Sequence, residues 1–210
     1  TDGQGLARLA AAGIVVASGI HAEEARRSMA GWLTRRDKGR PFVTLKLAMS
    51  LDGGVAMADG ASQWITGAAA RAHAHLERSR HELILVGRGT WETDRPRLDV
   101  RLSGLEHRSP VRVVLSGRDG EGDLAIDAPE KIATLPGDHL FVEGGAGAAA
   151  AFLRADLVDR LLLYRAPILI GGGRTLPDIR LDDLASAHGR WRLHDARQLG
   201  VDRLEEYESA

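Results

Sequence analysis

The stretch His139-Leu140-Phe141-Val142-Glu143-Gly144-Gly145-Ala146-Gly147-Ala148-Ala149-Ala150-Ala151-Phe152-Leu153-Arg154 decides how this chain is read. His139 to Val142 is a short apolar run, the signature of a buried strand. Two glycines end it, and Ala146 to Arg154 reads as a helix. Glycines at such a junction let backbone N–H groups approach a pyrophosphate, and the helix N-terminus favours an anion. The glycines at 144, 145 and 147 do not have the Gly-x-Gly-x-x-Gly spacing of the dinucleotide-binding fingerprint, and they lie far from the N-terminus. The junction therefore points to a dinucleotide or a phosphate without choosing between them.

The same alternation continues on both sides. Upstream, Phe42 to Ser50 reads as a strand, Asp52 to Gly60 as a loop, and Ala68 to Arg80 as a helix with Thr66 as its N-cap. Leu83 to Val86 is a buried strand that runs into Gly87-Arg88-Gly89-Thr90, and Val111 to Leu115 is another that runs into Ser116-Gly117. Downstream, Leu161 to Ala166 is a strand stopped near Pro167, and Ile168 to Ile170 ends in three glycines. Trp191 to Ala196 and Arg203 to Tyr207 read as closing antiparallel strands. Short strands alternating with helices predict an α/β fold with helices on the sheet faces. Four strand ends marked by glycine predict a ligand site at the carboxyl edge of that sheet.

Residues 1–39 read as an appendage and 40–210 as the main domain. Leu6 to Ala12 is a short helix ended by Gly13, Ile14 to Ala17 a short buried strand, and Ala22 to Arg36 a helix. Gly39-Arg40-Pro41 marks the boundary.

Composition narrows the chemistry. The 210 residues carry a formal net charge of −1, so nothing indicates a nucleic-acid or anionic-membrane surface. There is no cysteine, which rules out disulfides, zinc-thiolate sites and a thiol nucleophile within this chain. No apolar run approaches the ~20 residues of a membrane span, and a cytoplasmic location is expected. His73 and His75 are two apart, about 200° around a helix, and do not share a face, so no metal is expected. Trp64 beside a glycine-rich loop has two readings, a core residue or the wall of a planar ligand site. Lys46, in an otherwise apolar strand, either faces solvent or reaches a substrate.

Taken together and in order, five strings are more specific than any one. They are Lys46 to Gly53, Ser62 to Gly67, Gly87 to Thr90 running on to Asp94-Arg95-Pro96-Arg97-Leu98, Glu143-Gly144-Gly145, and Ala166 to Gly173. Over roughly residues 40–210 the chain resembles the reductase half of the bifunctional riboflavin-biosynthesis deaminase/reductase. The resemblance implies a dihydrofolate-reductase-like fold: a mostly parallel central sheet, helices on both faces and an antiparallel C-terminal pair. It implies NADPH as cofactor, a phosphoribosylaminopyrimidine as substrate and a homodimer as the assembly. Residues 1–36 resemble the tail of the deaminase half, whose zinc-binding set is absent here, so no deamination is expected.

The resemblance also assigns roles. Ala48, Trp64, Thr90 and Asp94 match cofactor contacts, as do Gly117 (or its neighbour Ser116) and the turn and helix Gly145, Ala146, Gly147, Ala148, Ala149, Ala150 and Ala151. Ser62, Arg78, Leu98, Arg101 and Glu143 match substrate contacts. Arg78 and Arg101 suit a phosphate clamp, because guanidinium presents forked donors. Lys46, Asp52 or water are the candidate sources of the proton the reduction needs. Arg118, just beyond the Val111–Leu115 strand, is the candidate cation for the cofactor 2′-phosphate. Two departures from the family pattern adjoin the cofactor contacts: Arg95 stands where a second Asp is usual, and Trp91-Glu92 replaces smaller residues. Two other readings stay open at this point: a reductase of the same fold with another substrate, or a non-catalytic NADPH-binding remnant.

Overall fold

The computed structural model describes residues 3–118 and 122–210. Eight strands form one sheet: β1 (Phe42–Met49), β2 (Leu83–Gly87), β3 (Val111–Leu115), β4 (Leu124–Ile126), β5 (His139–Val142), β6 (Arg160–Arg165), β7 (Trp191–Leu199) and β8 (Asp202–Ser209). Their order is β4-β3-β2-β5-β1-β6-β8-β7. The first six run parallel; β8 pairs antiparallel with β6, and β7 antiparallel with β8. This is the mostly parallel sheet with an antiparallel C-terminal pair that the resemblance implied.

Strand parity sorts the side chains into two cores, because successive residues point to opposite faces. On one face Val43, Leu45 and Leu47 of β1, Leu83 and Leu85 of β2, and Leu140 and Val142 of β5 pack with Ala149, Phe152 and Leu153. Those last three belong to helix α6 (Ala146–Arg154). On the other face Ile84, Val86, Phe141, Leu162 and Tyr164 pack with Ala70 and Leu98. Ala70 belongs to helix α4 (Ala68–Arg78), and helix α5 (Arg88–Asp94) adds Trp91 to this side. Both faces are thus covered, as a parallel sheet requires. The polar residues of β1 lie on the α4 face: Thr44 is buried against His81, and Lys46 sits beside Tyr164.

The N-terminal forty residues differ from expectation. Helix α1 (Gln4–Ala11) buries none of its residues. Ile14 to Ala17 is neither a strand nor buried: Ile14 is 52% and Val15 97% exposed. The helix expected over Ala22 to Arg36 breaks at Met29 into α2 (Ala22–Ser28) and α3 (Ala30–Lys38). The break lays Gly31 flat on the His139 ring, where a Cβ would collide with the imidazole. Residues 27–40 are tied to the body by polar contacts. Arg27 pairs with Glu208 at 2.8 Å, and Arg40 pairs with the buried Asp159 of the β6 entry.

Three smaller differences have local causes. Gly67, not Thr66, caps α4, and its N–H donates to Asp202 of β8 at 2.7 Å, so a tertiary contact replaces a local cap. Ile168 to Ile170 is loop rather than strand: the Ile168 N–H donates to the Ala166 carbonyl, and that of Ile170 to a side chain described below. β4 lacks a signal because it is three residues long and is itself the edge strand, paired only with β3.

Candidate active site

The carboxyl ends of β1, β2 and β5 open, on the α4 face, into a cleft of about 730 Å³. Its chemistry follows from register. Leu45 pairs with Val142, so the next residues on the two parallel strands, Lys46 and Glu143, stand side by side. Lys46 Nζ is 3.4 Å from Glu143 Oε1. From the last turn of α4, Arg78 Nε donates to Glu143 Oε2 at 2.7 Å, and Arg78 Nη1 donates to the Asp99 carbonyl at 2.8 Å. All three side chains are largely buried. Burial alone would raise the Glu143 carboxyl, but the charges and hydrogen bonds of Lys46 and Arg78 outweigh it and hold it at about 2. Glu143 is therefore a carboxylate at neutral pH, fixed between two cations.

Around this triad stand the other cleft residues. Ala48, Ser62 and Trp64 form one wall. Trp64 is 64% exposed, with the Arg71 guanidinium 5.0 Å from its ring centroid, so it walls the cleft and does not fill the core. Thr90 and Asp94 of α5 and the following Leu98 and Arg101 line the cleft as well. Gly145 and Ala146 close the end, where Gly145 N–H donates to Thr90 Oγ1 at 3.2 Å. The glycines there are required by close approach: a Cβ on Gly144 would lie 2.6 Å from the Ala148 Cβ and 3.1 Å from Gly87 N. Gly147 has open space in front of it. An exposed turn at the start of the nine-residue helix α6 fits a pyrophosphate, whose oxygens would meet free backbone N–H groups there.

Of the residues expected at the site, Lys46, Ala48, Ser62, Trp64, Arg78, Thr90, Asp94, Leu98, Arg101, Glu143, Gly145 and Ala146 line this cleft. Ser116, Gly117, Arg118, Gly147 and Ala151 lie outside its lining, as do Ala148, Ala149 and Ala150. Those last three are buried, Ala149 in the opposite core, so helix periodicity turns them inward. Ser116 Oγ accepts the Arg118 N–H, and the exposed Arg118 pairs with Glu92 at 3.4 Å.

Asp52 is not among the residues that line the cleft. Its oxygens accept from Ser50 Oγ and from the N–H groups of Ile170 and Gly171, the latter at 2.8 Å. Those hydrogen bonds, that of Ser50 first, keep its carboxyl at about 2. Asp52 thus clasps two loops together. The two departures beside the cofactor contacts are also placed. Trp91 turns away from the cleft into the core beneath α5, with Arg112 over its ring, and leaves Thr90 and Asp94 on the wall. Arg95 takes a left-handed backbone conformation (φ 41°) that ends α5.

Residue-by-residue reading missed Arg71 and His75 as cleft residues. Their signal is visible in hindsight: Arg71, His75 and Arg78 recur at helical spacing and share one face of α4. His73 lies on another face, hydrogen-bonded to the Tyr164 hydroxyl at 2.8 Å, so the two histidines do not converge. Elsewhere among the described residues, His194, Glu206 and Glu208 bring ligand atoms within 4.8 Å of one another. Both glutamates are already paired, with Arg160 and Arg27 respectively. Among the described residues no helix is long and apolar enough to cross a membrane.

A parallel α/β sheet with an arginine-lined cleft and a glycine turn at its carboxyl edge defines a class of domain that binds phosphorylated ligands. The sequence family described as the RibD C-terminal domain matches residues 41–135 and 125–204, and the chain belongs to that family. It is 38% identical over 220 residues to the riboflavin biosynthesis protein RibD of Mycobacterium tuberculosis, covering 96% of this chain and 65% of that protein. The chain thus spans about two thirds of that relative. The RibD structure of Acinetobacter baumannii superposes with a TM-score of 0.80 at 28% identity, over 99% of this chain and 69% of that one. The diaminohydroxyphosphoribosylaminopyrimidine deaminase/5-amino-6-(5-phosphoribosylamino)uracil reductase of Thermotoga maritima does so with a TM-score of 0.81 at 26% identity, covering 98% and 67%.

Proposed function

We propose that this domain is the NADPH-dependent reductase that converts 5-amino-6-(5-phosphoribosylamino)uracil to its ribitylamino product. The observation that carries the reading is the Lys46–Glu143–Arg78 triad, set in a cleft of ligand size at the carboxyl edge of the sheet, in a chain of the RibD C-terminal family. When bound, NADPH supplies the hydride that reduces C1′ of the ring-opened ribosylamine.

The chain's own residues do the rest. Arg78 and Arg101 hold the substrate phosphate through forked donors. Glu143, kept ionised, accepts hydrogen bonds from ribityl or pyrimidine groups and anchors Lys46. The Lys46 ammonium holds the proton that the substrate nitrogen gains as C1′ is reduced. Ser62 and Leu98 orient the base. Ala48, Trp64, Thr90, Asp94 and the exposed turn of Gly145, Ala146 and Gly147 hold the cofactor, and Trp64 excludes water from one side of the reacting atoms. Arg118 and Ser116–Gly117 receive its adenosine 2′-phosphate end; an Arg118→Ala variant with an unchanged NADPH:NADH preference would sink that assignment. We further propose that the domain works in the cytoplasm as a homodimer, which sedimentation would show directly.

The test is absorbance at the NADPH band with freshly prepared phosphoribosylaminopyrimidine, with the ribityl product confirmed by mass. Stoichiometric loss of absorbance supports the reading. NADPH binding without turnover overturns it in favour of a binding module.

A further inference from the structure

His75 is the residue of the cleft to which neither the family resemblance nor the reading above gives a task. It stands on the face of α4 that carries Arg71 and Arg78, one turn before Arg78. Its Nδ1 lies 3.2 Å from the Arg101 backbone N and 3.1 Å from the Asp99 carbonyl oxygen. A backbone N–H can only donate, so in the neutral ring Nδ1 accepts from Arg101 and the proton sits on Nε2. Among the described residues Nε2 has no hydrogen-bond partner, and it is not among the buried polar atoms that lack one. Since His75 lines the cleft, this N–H is a donor open to a ligand.

The charges that face the ring come from four places. Arg78 shares its helix; Arg101 and Asp99 come from the segment after α5; Glu143 comes from the end of β5, with Lys46 of β1 behind it. Asp99 is itself shared, with Arg101 Nε 3.4 Å and Arg97 Nε 3.3 Å from its carboxylate. Burial, then the Arg78 and Arg101 charges, keep the imidazole pKa below its ordinary value. A dianion bound between those two arginines would offset their charge at the ring. A protonated ring already has its second partner in place, because Nδ1–H can donate to the Asp99 carbonyl at 3.1 Å. The site is thus built for both protonation states, with one acceptor and one donor waiting at the same nitrogen.

We propose that His75 is a third phosphate donor, standing with Arg78 and Arg101, and that it couples binding of a phosphomonoester to uptake of a proton. This rests on the assignment of Arg78 and Arg101 to the substrate phosphate made above, but its test does not require turnover. Ribose 5-phosphate and ribose serve as probes, titrated calorimetrically into the whole chain at pH 7 in two buffers of different ionisation enthalpy. The parent is expected to bind ribose 5-phosphate with more protons taken up than the His75→Gln variant, which keeps an amide donor but cannot titrate. The second ionisation of the free phosphate, near pH 6, is common to both titrations and cancels in the difference. His75→Ala should weaken ribose 5-phosphate by about tenfold, the scale of one charge-assisted hydrogen bond, and leave ribose unaffected. Equal proton uptake in the parent and His75→Gln overturns the proposal, as does equal loss for both sugars. If His75→Gln does not fold, the imidazole NMR titration in the parent decides. Its pKa must rise when ribose 5-phosphate binds, and an unchanged value refutes the coupling. Binding of ribose 5-phosphate without reduction of the aminopyrimidine would sink the reductase reading alone and leave this one standing.

Discussion

Glu143→Gln separates the electrostatics of the triad from its packing, because glutamine keeps the shape and removes the charge. In the parent, the Lys46 and Arg78 cations hold the carboxyl at about 2 against an ordinary 4.5. At 1.36 kcal/mol per unit, that difference is about 3 kcal/mol of folding stability. A depressed carboxyl contributes its full share above its unfolded pKa and loses it as pH falls through its folded pKa. The variant should therefore be less stable than the parent by about 3 kcal/mol at pH 7. The deficit should begin to close below about pH 4.5 and be less than half as large at pH 3. Urea unfolding of both proteins at pH 7 and pH 3, followed by far-ultraviolet circular dichroism, measures it. Other carboxylates titrate equally in the two proteins and cancel. A variant as stable as the parent at pH 7 would show that the cations do not hold Glu143. A deficit of the same size at both pH values would assign the loss to packing.

Other outcomes follow from the same geometry. Lys46→Met should lower kcat on the order of a hundredfold with little change in NADPH affinity, as expected for loss of a proton donor; single-turnover NADPH oxidation reads this, and an unaltered rate removes Lys46 from the chemistry. Asp52→Asn, which weakens the clasp to Ile170 and Gly171, should increase proteolytic cleavage within the loops it joins while leaving the shape of the pH–rate profile intact; a lost ionisation in that profile would restore Asp52 as a proton source. Gly144→Ala forces a Cβ against Ala148 and the Gly87 backbone and should cost about 1–3 kcal/mol in thermal or urea unfolding. Gly147→Ala, with nothing in front of it, should be neutral or stabilising by up to about 1 kcal/mol while weakening NADPH binding in a fluorescence titration.

The strand–glycine–helix junctions were legible because they are local. A short apolar run, a glycine and an alanine-rich segment determine β5, its turn and α6 with little help from the rest of the chain. The two C-terminal strands were legible for the same reason, and the five ordered strings placed the chain in its family before any geometry was known. Strand parity is arithmetic on sequence positions, and it turns Lys46 to the face opposite Leu45 and Leu47; with Leu45 paired to Val142, Lys46 and Glu143 stand side by side, while the rest of the twelve cleft residues come from the end of β1, from helices and from loops.

What lay outside that arithmetic depended on contacts between distant segments. Asp52 resembles a proton source in sequence, and only the approach of Gly171 and Ile170 makes it a clasp. Thr66 is a good local cap, and only Asp202, arriving from β8, moves the cap to Gly67. Ile14 to Ala17 has the composition of a buried strand, but burial needs a partner surface, and Ile14 and Val15 stay exposed. His75 looked like half of a failed metal pair with His73; the turn after α5 gives its ring the Arg101 N–H and the Asp99 carbonyl. Backbone propensity and pattern act over a few residues and are written in the chain, whereas the charge and hydrogen-bond partners that give a side chain its chemistry are chosen by the tertiary fold.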